Sequence, residues 1–170
     1  MEGTDRTADE NITLYAHWKA KTPTILFYAN GGNLEETEAA KTAVYGEDYG
    51  KLPTPKLSHY TFDGWHTQAD GGAKVTAGST VETEETQTLY AHWTPDTVTI
   101  TLDAAGGQIA DKTIFRYYEQ EYGDIKTPVK DGFIFSGWYT EPDAGLLITQ
   151  SMLVKNPESH TLYARWTKEK

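Results

Sequence analysis

The hexamer Thr-Leu-Tyr-Ala-His-Trp occurs at residues 13–18 and again at 88–93, and it returns with one substitution at 161–166. Leu14 and Leu89 are 75 residues apart, and Leu89 and Leu162 are 73 apart. Recurrence at a nearly constant spacing is the signature of tandem structural repeats. The chain must therefore fold as a series of small modules, with two complete units preceded by the closing hexamer of another.

This repeat divides the 170 residues into four segments. We expect a disordered leader at residues 1–10, because it is rich in charge and poor in apolar residues. Residues 11–20 are predicted to be the closing strand of a truncated upstream repeat, followed by module 1 at 21–94 and module 2 at 95–170. Because the chain begins inside a unit, we expect it to be a piece of a longer repeat protein. The short linker Thr94 to Asp96 predicts a rigid or semi-rigid string of modules.

Alternation of apolar and polar residues predicts that each hexamer is a half-buried strand, including Asn11 to Trp18. The module of this first hexamer is missing, so we expect it either to fray or to pair with a surrogate partner on the next module or on another molecule. β-branched and aromatic runs that end at turn glycines predict the other strands. Each of these strands is predicted once in module 1 and once in module 2. The first strands are Thr24–Tyr28 and Val98–Asp103, the return strands are about Lys41–Tyr45 and Lys112–Tyr118, and the Gly-Trp strands are Tyr60–Thr67 and Phe133–Thr140. Gly64 and Gly137 are predicted to lie at a bulge or a close approach.

The aromatic residues, 5 Trp, 11 Tyr and 5 Phe, are predicted to form much of the hydrophobic core of these small modules. A domain of about 60 residues buries only about 60% of its unfolded surface, so large side chains must supply much of the core. We therefore predict that Trp65 and Trp138 are buried rather than available for stacking on sugars. Trp18, Trp93 and Trp166 share a strand face with Leu and Ala, and we predict the same for them.

Charge and composition exclude several classes of partner. The net charge of −10 is spread along the chain, which disfavours nucleic acid and an anionic membrane surface. There is no cysteine, which excludes disulfides, thiolate metal sites and a cysteine nucleophile. No run of about 18 apolar residues exists and the first ten residues do not resemble a signal peptide, so we expect no membrane insertion by this segment.

Three histidines in module 1, His59, His66 and His92, raise the question of a metal site. Module 2 has Gly132, Tyr139 and Arg165 at the corresponding positions. Arginine stays protonated and cannot ligate a metal, so a site shared by both modules is excluded and we assign no metal. Asp70-Gly71-Gly72 offers one carboxylate to Ca²⁺ and is better explained as a turn.

No residue pattern indicates catalysis. The acidic residues lie mostly in polar loops, whereas a paired-acid site needs one carboxyl in an apolar pocket. Ser58 is adjacent to His59 but lacks the converging base and acid that activate a serine. The glycine pairs are typical of turns rather than phosphate loops. We therefore predict that the chain is not an enzyme and has no catalytic residue and no cofactor.

The order Gly-Gly, Tyr-Gly, Pro, Phe-x-Gly-Trp-x-Thr, Asp-x-Gly and Leu-Tyr-Ala-x-Trp, as in Phe62 to Thr67 and Leu89 to Trp93, resembles the Listeria–Bacteroides repeat, also called the internalin B-type B repeat. The resemblance covers two copies and the end of a third. It implies a β-rich α+β fold of tandem small β-grasp, ubiquitin-like modules, with mostly antiparallel strands and little helix. Such modules are arrayed in bacterial surface proteins between a functional head and the envelope anchor.

We accordingly expect a non-enzymatic spacer and adhesion module, extracellular at the bacterial cell surface or cell wall. It would present other domains away from the envelope, contact neighbouring repeats of the parent chain, and use exposed loops to bind host or extracellular-matrix proteins. The alternatives are a carbohydrate-binding module with exposed aromatics and a pilin-like domain hardened by an isopeptide bond.

The second face of the first strand differs between the modules. Module 1 carries Leu26 and Tyr28 where module 2 has Thr101 and Asp103. An apolar second face requires a cover. We hypothesise that the orphan strand Asn11 to Trp18 or a neighbouring chain supplies it.

Overall fold

A computed structural model describes residues 13–170 and contains two β-sheets that follow one another along the chain. The strands in this range are β1 Thr24–Tyr28, β2 Ala40–Thr42, β3 Tyr60–His66, β4 Lys74–Val75, β5 Gln87–Pro95, β6 Thr97–Asp103, β7 Thr113–Tyr117, β8 Phe133–Tyr139 and β9 His160–Lys168. The helical content of the described residues is one 3₁₀ turn, Glu36–Glu38. The predicted β-rich fold with little helix is confirmed.

Each sheet is built around a parallel pair made by the first and last strands of its module. The strand order is β2-β1-β5-β3-β4 in module 1 and β7-β6-β9-β8 in module 2. β1 runs parallel to β5 and β6 runs parallel to β9, whereas the other pairings are antiparallel. A parallel pair needs a long crossover connection, so the rest of each module lies between its two central strands in sequence.

The predicted first strands, Gly-Trp strands and closing strands of both modules form, with ends shifted by a residue or a few. The return strand is Thr113–Tyr117 in module 2, close to the prediction, but only Ala40–Thr42 in module 1. The acidic run that precedes it in module 1 forms the 3₁₀ turn instead. Local helical propensity therefore shortens the hairpin of one copy without changing its topology.

Gly64 and Gly137 lie at a β-bulge, as predicted. The pairing of β3 with β5 shifts between Phe62 and Gly64, and the pairing of β8 with β9 shifts at the matching position. The φ angles of the two glycines are 135° and 134°, which L side chains rarely adopt. The bulge therefore requires glycine and turns the adjacent tryptophan toward the core.

The strand predicted for Asn11 to Trp18 does not form within the described residues, which is the frayed alternative rather than pairing with a surrogate partner. Residues 13–20 form no strand, and the side chains of Leu14 and Trp18 are 89% and 93% exposed. In both complete modules the hexamer pairs with a first strand and a Gly-Trp strand, and residues 1–12 contain neither sequence. Without these partners its backbone hydrogen bonds have no acceptors in a sheet. Residues 11 and 12, and the leader predicted at 1–10, lie outside the described part.

Each module has one apolar core, and the Gly-Trp tryptophan lies in it. Trp65 is 1% exposed and Trp138 is 4% exposed, which confirms their predicted burial. Their indole N–H groups donate to the carbonyls of Pro53 at 2.8 Å and Lys126 at 3.2 Å. A buried indole needs such a partner, because an unpaired N–H in an apolar core is costly.

In each complete module, the tryptophan at the end of the hexamer packs on the second glycine of the Gly-Gly turn. Trp93 donates its N–H to the carbonyl of Ala29 at 3.0 Å, and Trp166 does the same to Ala104 at 2.9 Å. A Cβ built on Gly32 would lie 2.5 Å from the indole of Trp93 and 2.9 Å from the carbonyl oxygen of Lys56. Glycine is required here by close packing rather than by a turn conformation.

We expect Gly32→Ala to lower the free energy of unfolding of module 1 by about 1–3 kcal/mol, because the added methyl group has no space between the ring and the backbone. Urea unfolding followed by tryptophan fluorescence measures the change. Gly78→Ala is the matched control, since a Cβ there meets no atom within 4 Å, and its effect should stay within about 0.5 kcal/mol. Equal effects of the two substitutions would contradict the packing argument.

Candidate functional site: the joint between the modules

A single residue, Asp96, separates β5 from β6 and is hydrogen-bonded to both modules. Its N–H donates to the carbonyl of His59 at 2.9 Å, and its carbonyl accepts from the N–H of Tyr118 at 2.9 Å. The hydroxyl of Thr61 donates to the Asp96 carboxylate at 3.1 Å. Because the linker is one residue long and bonded on both sides, it has little freedom to bend.

Side chains add a second set of contacts across the joint. The Tyr60 hydroxyl donates to Glu119 at 2.7 Å, and Lys155 Nζ donates to the other oxygen of the same carboxylate at 2.8 Å. The ring of Tyr118 lies with its centroid 5.0 Å from His59 and 6.0 Å from Tyr60. Module 1 and module 2 are therefore connected by a hydrogen-bonded carboxylate and a small aromatic cluster.

The hydrogen bonds of Glu119 shift the pKa values of the groups involved. The bond to Glu119 raises the pKa of Tyr60 from 10.0 to about 12, because it favours the protonated phenol. The bond from Lys155, and after it the bond from Tyr60, lower the pKa of Glu119. Lys155 in turn has a raised pKa, mainly through its bond to Glu119. All three groups are held in the protonation state they have at neutral pH.

Two residues at the joint adopt a backbone conformation that favours glycine. His59 has a φ of 65° and Glu119 has a φ of 60°. At the corresponding positions of the other module the chain has Gly132 and Gly46, which also have positive φ angles. The left-handed conformation costs a non-glycine residue about 1–2 kcal/mol. At the joint, both positions carry a side chain that contacts the neighbouring module.

The backbone hydrogen bonds of the joint recur at the opposite end of each module. The N–H of Tyr45 donates to the carbonyl of Lys21 at 2.9 Å, and the N–H of Glu169 donates to the carbonyl of Gly132 at 3.0 Å. Each of these bonds corresponds to one of the two made by Asp96. The side-chain part does not recur, because Phe133 replaces Tyr60 in module 2 and lacks its hydroxyl. The repeats thus share the linker conformation and differ in the side chains that fix it.

The three histidines considered for a metal do not converge. His66 and His92 stack face to face with ring centroids 3.8 Å apart, whereas His59 lies at the joint against Tyr118. In module 2 the guanidinium of Arg165 lies 3.9 Å from the ring of Tyr139 at the positions of the stacked pair. Both modules therefore use these two positions for stacking of flat groups. Among residues 13–170 no group of three or more histidine and acidic side chains could hold a metal ion.

The exposed apolar residues include Leu26 and Tyr28, as the sequence indicated, and Trp18, which was predicted to be buried. Trp93 and Trp166 are half-buried against their cores. The apolar face of β1 is partly covered by an edge contact of Tyr28 with Tyr90, with centroids 5.8 Å apart. Residues 13–18 do not cover it, so that part of the hypothesis is wrong for the single chain.

Two further features considered from the sequence, a buried carboxyl and a membrane-spanning helix, are not found in residues 13–170. No polar or charged residue there is buried, so no carboxyl lies in an apolar pocket. No helix in this range has the length and hydropathy needed to span a bilayer. The turn predicted at Asp70-Gly71-Gly72 forms, with φ angles of 73° and 74° at its glycines.

These features describe two β-modules in series, joined by a one-residue linker and by side-chain hydrogen bonds between the modules. A family model described as the Listeria-Bacteroides repeat domain matches residues 24–92 and 99–165. The chain belongs to the Listeria-Bacteroides repeat domain family, as its motifs predicted.

Similar proteins are much longer than this chain. A protein of Evansella cellulosilytica named "Putative membrane protein" is 31% identical over 169 residues, covering 95% of this chain and 23% of its own length. Another from the same organism, named "Putative Gly-rich membrane protein", is 29% identical over 171 residues, which are 96% of this chain and 18% of that protein. Internalin H of Listeria monocytogenes is 34% identical over 122 residues, covering 69% of this chain and 21% of its own length. The chain thus spans about a fifth of these relatives.

The pKa shifts predict how the joint depends on pH. Because the pKa of Glu119 is lowered, its contribution is complete above the ordinary value of 4.5 and is lost as pH falls through the lowered pKa. Because the pKa of Tyr60 is raised, its contribution is complete below 10.0 and is lost as pH rises through about 12. We expect energy transfer between dyes on the two modules to be constant between these limits and to change below the acid limit. Glu119→Gln should abolish the acid transition, and a transition that persists in that variant would contradict the assignment.

Proposed function

We propose that the chain is a non-enzymatic spacer and adhesion segment of a bacterial cell-surface protein. The observation that carries the proposal is the joint, in which one linker residue is bonded to both modules and Tyr60, Glu119 and Lys155 form a hydrogen-bonded chain. A joint of this kind keeps successive modules in a fixed relation. Serial modules then carry a distal domain away from the envelope, since a nine-residue strand spans about 30 Å.

The comparisons support a surface location. Internalin H and the two Evansella proteins are longer proteins that contain sequence related to this chain, two of them named for a membrane. We propose that this chain is likewise part of an extracellular protein at the cell surface or cell wall, with residues 21–94 and 95–170 as its repeat modules. The neighbouring repeats of the parent chain are its first partners.

We further propose that each module is of the β-grasp, ubiquitin-like type. The order β2-β1-β5-β3-β4, with the parallel pair at the centre, supports this assignment. The crossover between β2 and β3 contains no helix, so the modules would be a reduced form in which extended segments cover the sheet.

Weak binding of host or extracellular-matrix proteins is proposed for the exposed surface. Phe115 and Tyr117 are 63% and 52% exposed on the edge strand β7, and aromatic residues are enriched at protein interfaces. The net charge of −10 favours basic protein partners over nucleic acid.

Trp65 and Trp138, the main candidates for stacking on sugars in the carbohydrate-binding alternative, are buried in the cores. We expect no change in tryptophan fluorescence when the protein is titrated with a panel of glycans. Saturable quenching that disappears in Trp18→Ala would favour glycan binding through the one highly exposed indole of the described residues. The isopeptide alternative is tested by intact mass, which should equal the mass of the sequence without loss of ammonia or water.

The spacer role predicts one narrow distribution of distances between modules. Since the chain has no cysteine, dyes or spin labels attach only at introduced cysteines. We expect a single narrow distance distribution in the unaltered joint and a broader one in Tyr60→Phe combined with Glu119→Gly, which copies the equivalent residues Phe133 and Gly46. Glu158→Gln removes an exposed carboxylate outside the joint and should leave the distribution narrow. A broad distribution in the unaltered protein would refute a rigid spacer.

A further inference from the structure

The chain enters and leaves each module through two adjacent parallel strands. In module 1 the chain enters at Thr24 and leaves at Pro95, and the residues paired across β1 and β5 run from Ile25 with Gln87 to Tyr28 with Tyr90. β5 continues beyond the end of β1, and the entry point lies at the opposite end of the pair. Tension applied at the two ends of the module therefore pulls β1 and β5 in opposite directions along their common axis.

Module 2 has the same geometry. β6 and β9 pair from Ile100 with His160 to Asp103 with Tyr163, and β6 extends before this ladder as β9 extends after it. Tension thus meets a ladder of four residue pairs in each module. It passes from β5 to β6 through Asp96 alone, so no slack segment absorbs it.

The direction of pulling decides how the hydrogen bonds of a ladder share a load. When two strands are pulled along their axis, every bond of the ladder is strained at once. When they are pulled apart from one end, the bonds break in sequence and each carries the load alone. Forced unfolding is governed by the unfolding rate rather than by the equilibrium stability. The rupture force therefore depends on how many hydrogen bonds must break together when the barrier is crossed.

The loaded ladder lies in the interior of each sheet and is buried on its core face. β1 and β5 lie between β2 and β3, and β6 and β9 lie between β7 and β8. Ile25 and Leu89 are 0% exposed on the core face, as are Ile100 and Leu162 in module 2. On this face water is excluded, which strengthens the backbone hydrogen bonds of the ladder.

We propose that each module is a load-bearing unit in which the β1–β5 or β6–β9 ladder acts as a shear clamp against tension along the chain. This property goes beyond the proposed spacer role, because a rigid spacer can still unfold under weak tension. The tension would be transmitted to each module by the parent chain at both ends of the module.

The test compares two pulling directions on one folded module by single-molecule force spectroscopy. Handles on T24C and T94C load the β1–β5 ladder in shear, whereas handles on T24C and T42C peel β1 from β2, because Thr24 and Thr42 are directly paired. All three threonines are exposed, and the chain contains no other cysteine. We expect a rupture force about three- to fourfold higher in shear at the same pulling speed, since four residue pairs share the load. Equal forces in the two directions would overturn the clamp.

Module 2 provides an independent pair of handles with the same design. T97C with K168C gives shear and T97C with Y117C gives peeling, and all three positions are exposed. The introduced cysteines are kept reduced until the handles are coupled. As a control, the two variants should have equal urea unfolding midpoints, so that they differ only in the direction of the applied force. A flexible joint in the distance measurements would refute the spacer and leave these forces unchanged, so the two proposals fail separately.

Discussion

The pairing of the first strand of each module with its closing hexamer is the interaction on which the rest of the structure depends. Ile25 and Leu89 are fully buried at this pair, and so are Ile100 and Leu162. The two strands are separated in sequence by nearly the whole module, so forming this pair carries the entropy cost of closing a long loop. Residues 13–20 carry the same hexamer and form no strand, which indicates that the hexamer has little structure of its own without the strands it completes.

The same pairing brings the two ends of the module into line and makes a one-residue joint possible. Asp96 continues directly from β5 into β6, and its two backbone hydrogen bonds have counterparts at Lys21 and Glu169. The side chains are particular to this joint. Glu119 and His59 hold a left-handed backbone that glycine holds at the equivalent positions of the other module, and both side chains make contacts across the joint. Orientation between modules is thus set by a few side chains on a common backbone.

Comparison of the two copies within the sequence predicts the fold well but the joint poorly. The matched Gly-Trp strands, the bulges at Gly64 and Gly137 and the burial of Trp65 all follow from patterns that both copies share. Residue type alone does not distinguish Glu119, which is one of 25 acidic residues in the chain. The signal was the replacement of Gly46 by Glu119 and of Gly132 by His59, which marks positions where a side chain occupies a conformation suited to glycine.

The period, the two complete modules, most of their strands and their aromatic cores can be read from the sequence, because these depend on residue types that recur in register. The parallel pairing of the closing strand with the first, the close packing of an indole ring on the second glycine of each Gly-Gly pair, and the contact of Tyr60 with Glu119 appear only in the folded structure. These facts depend on residues far apart in the chain. Their proximity follows from how strands pair and pack, which the local pattern of side chains does not specify.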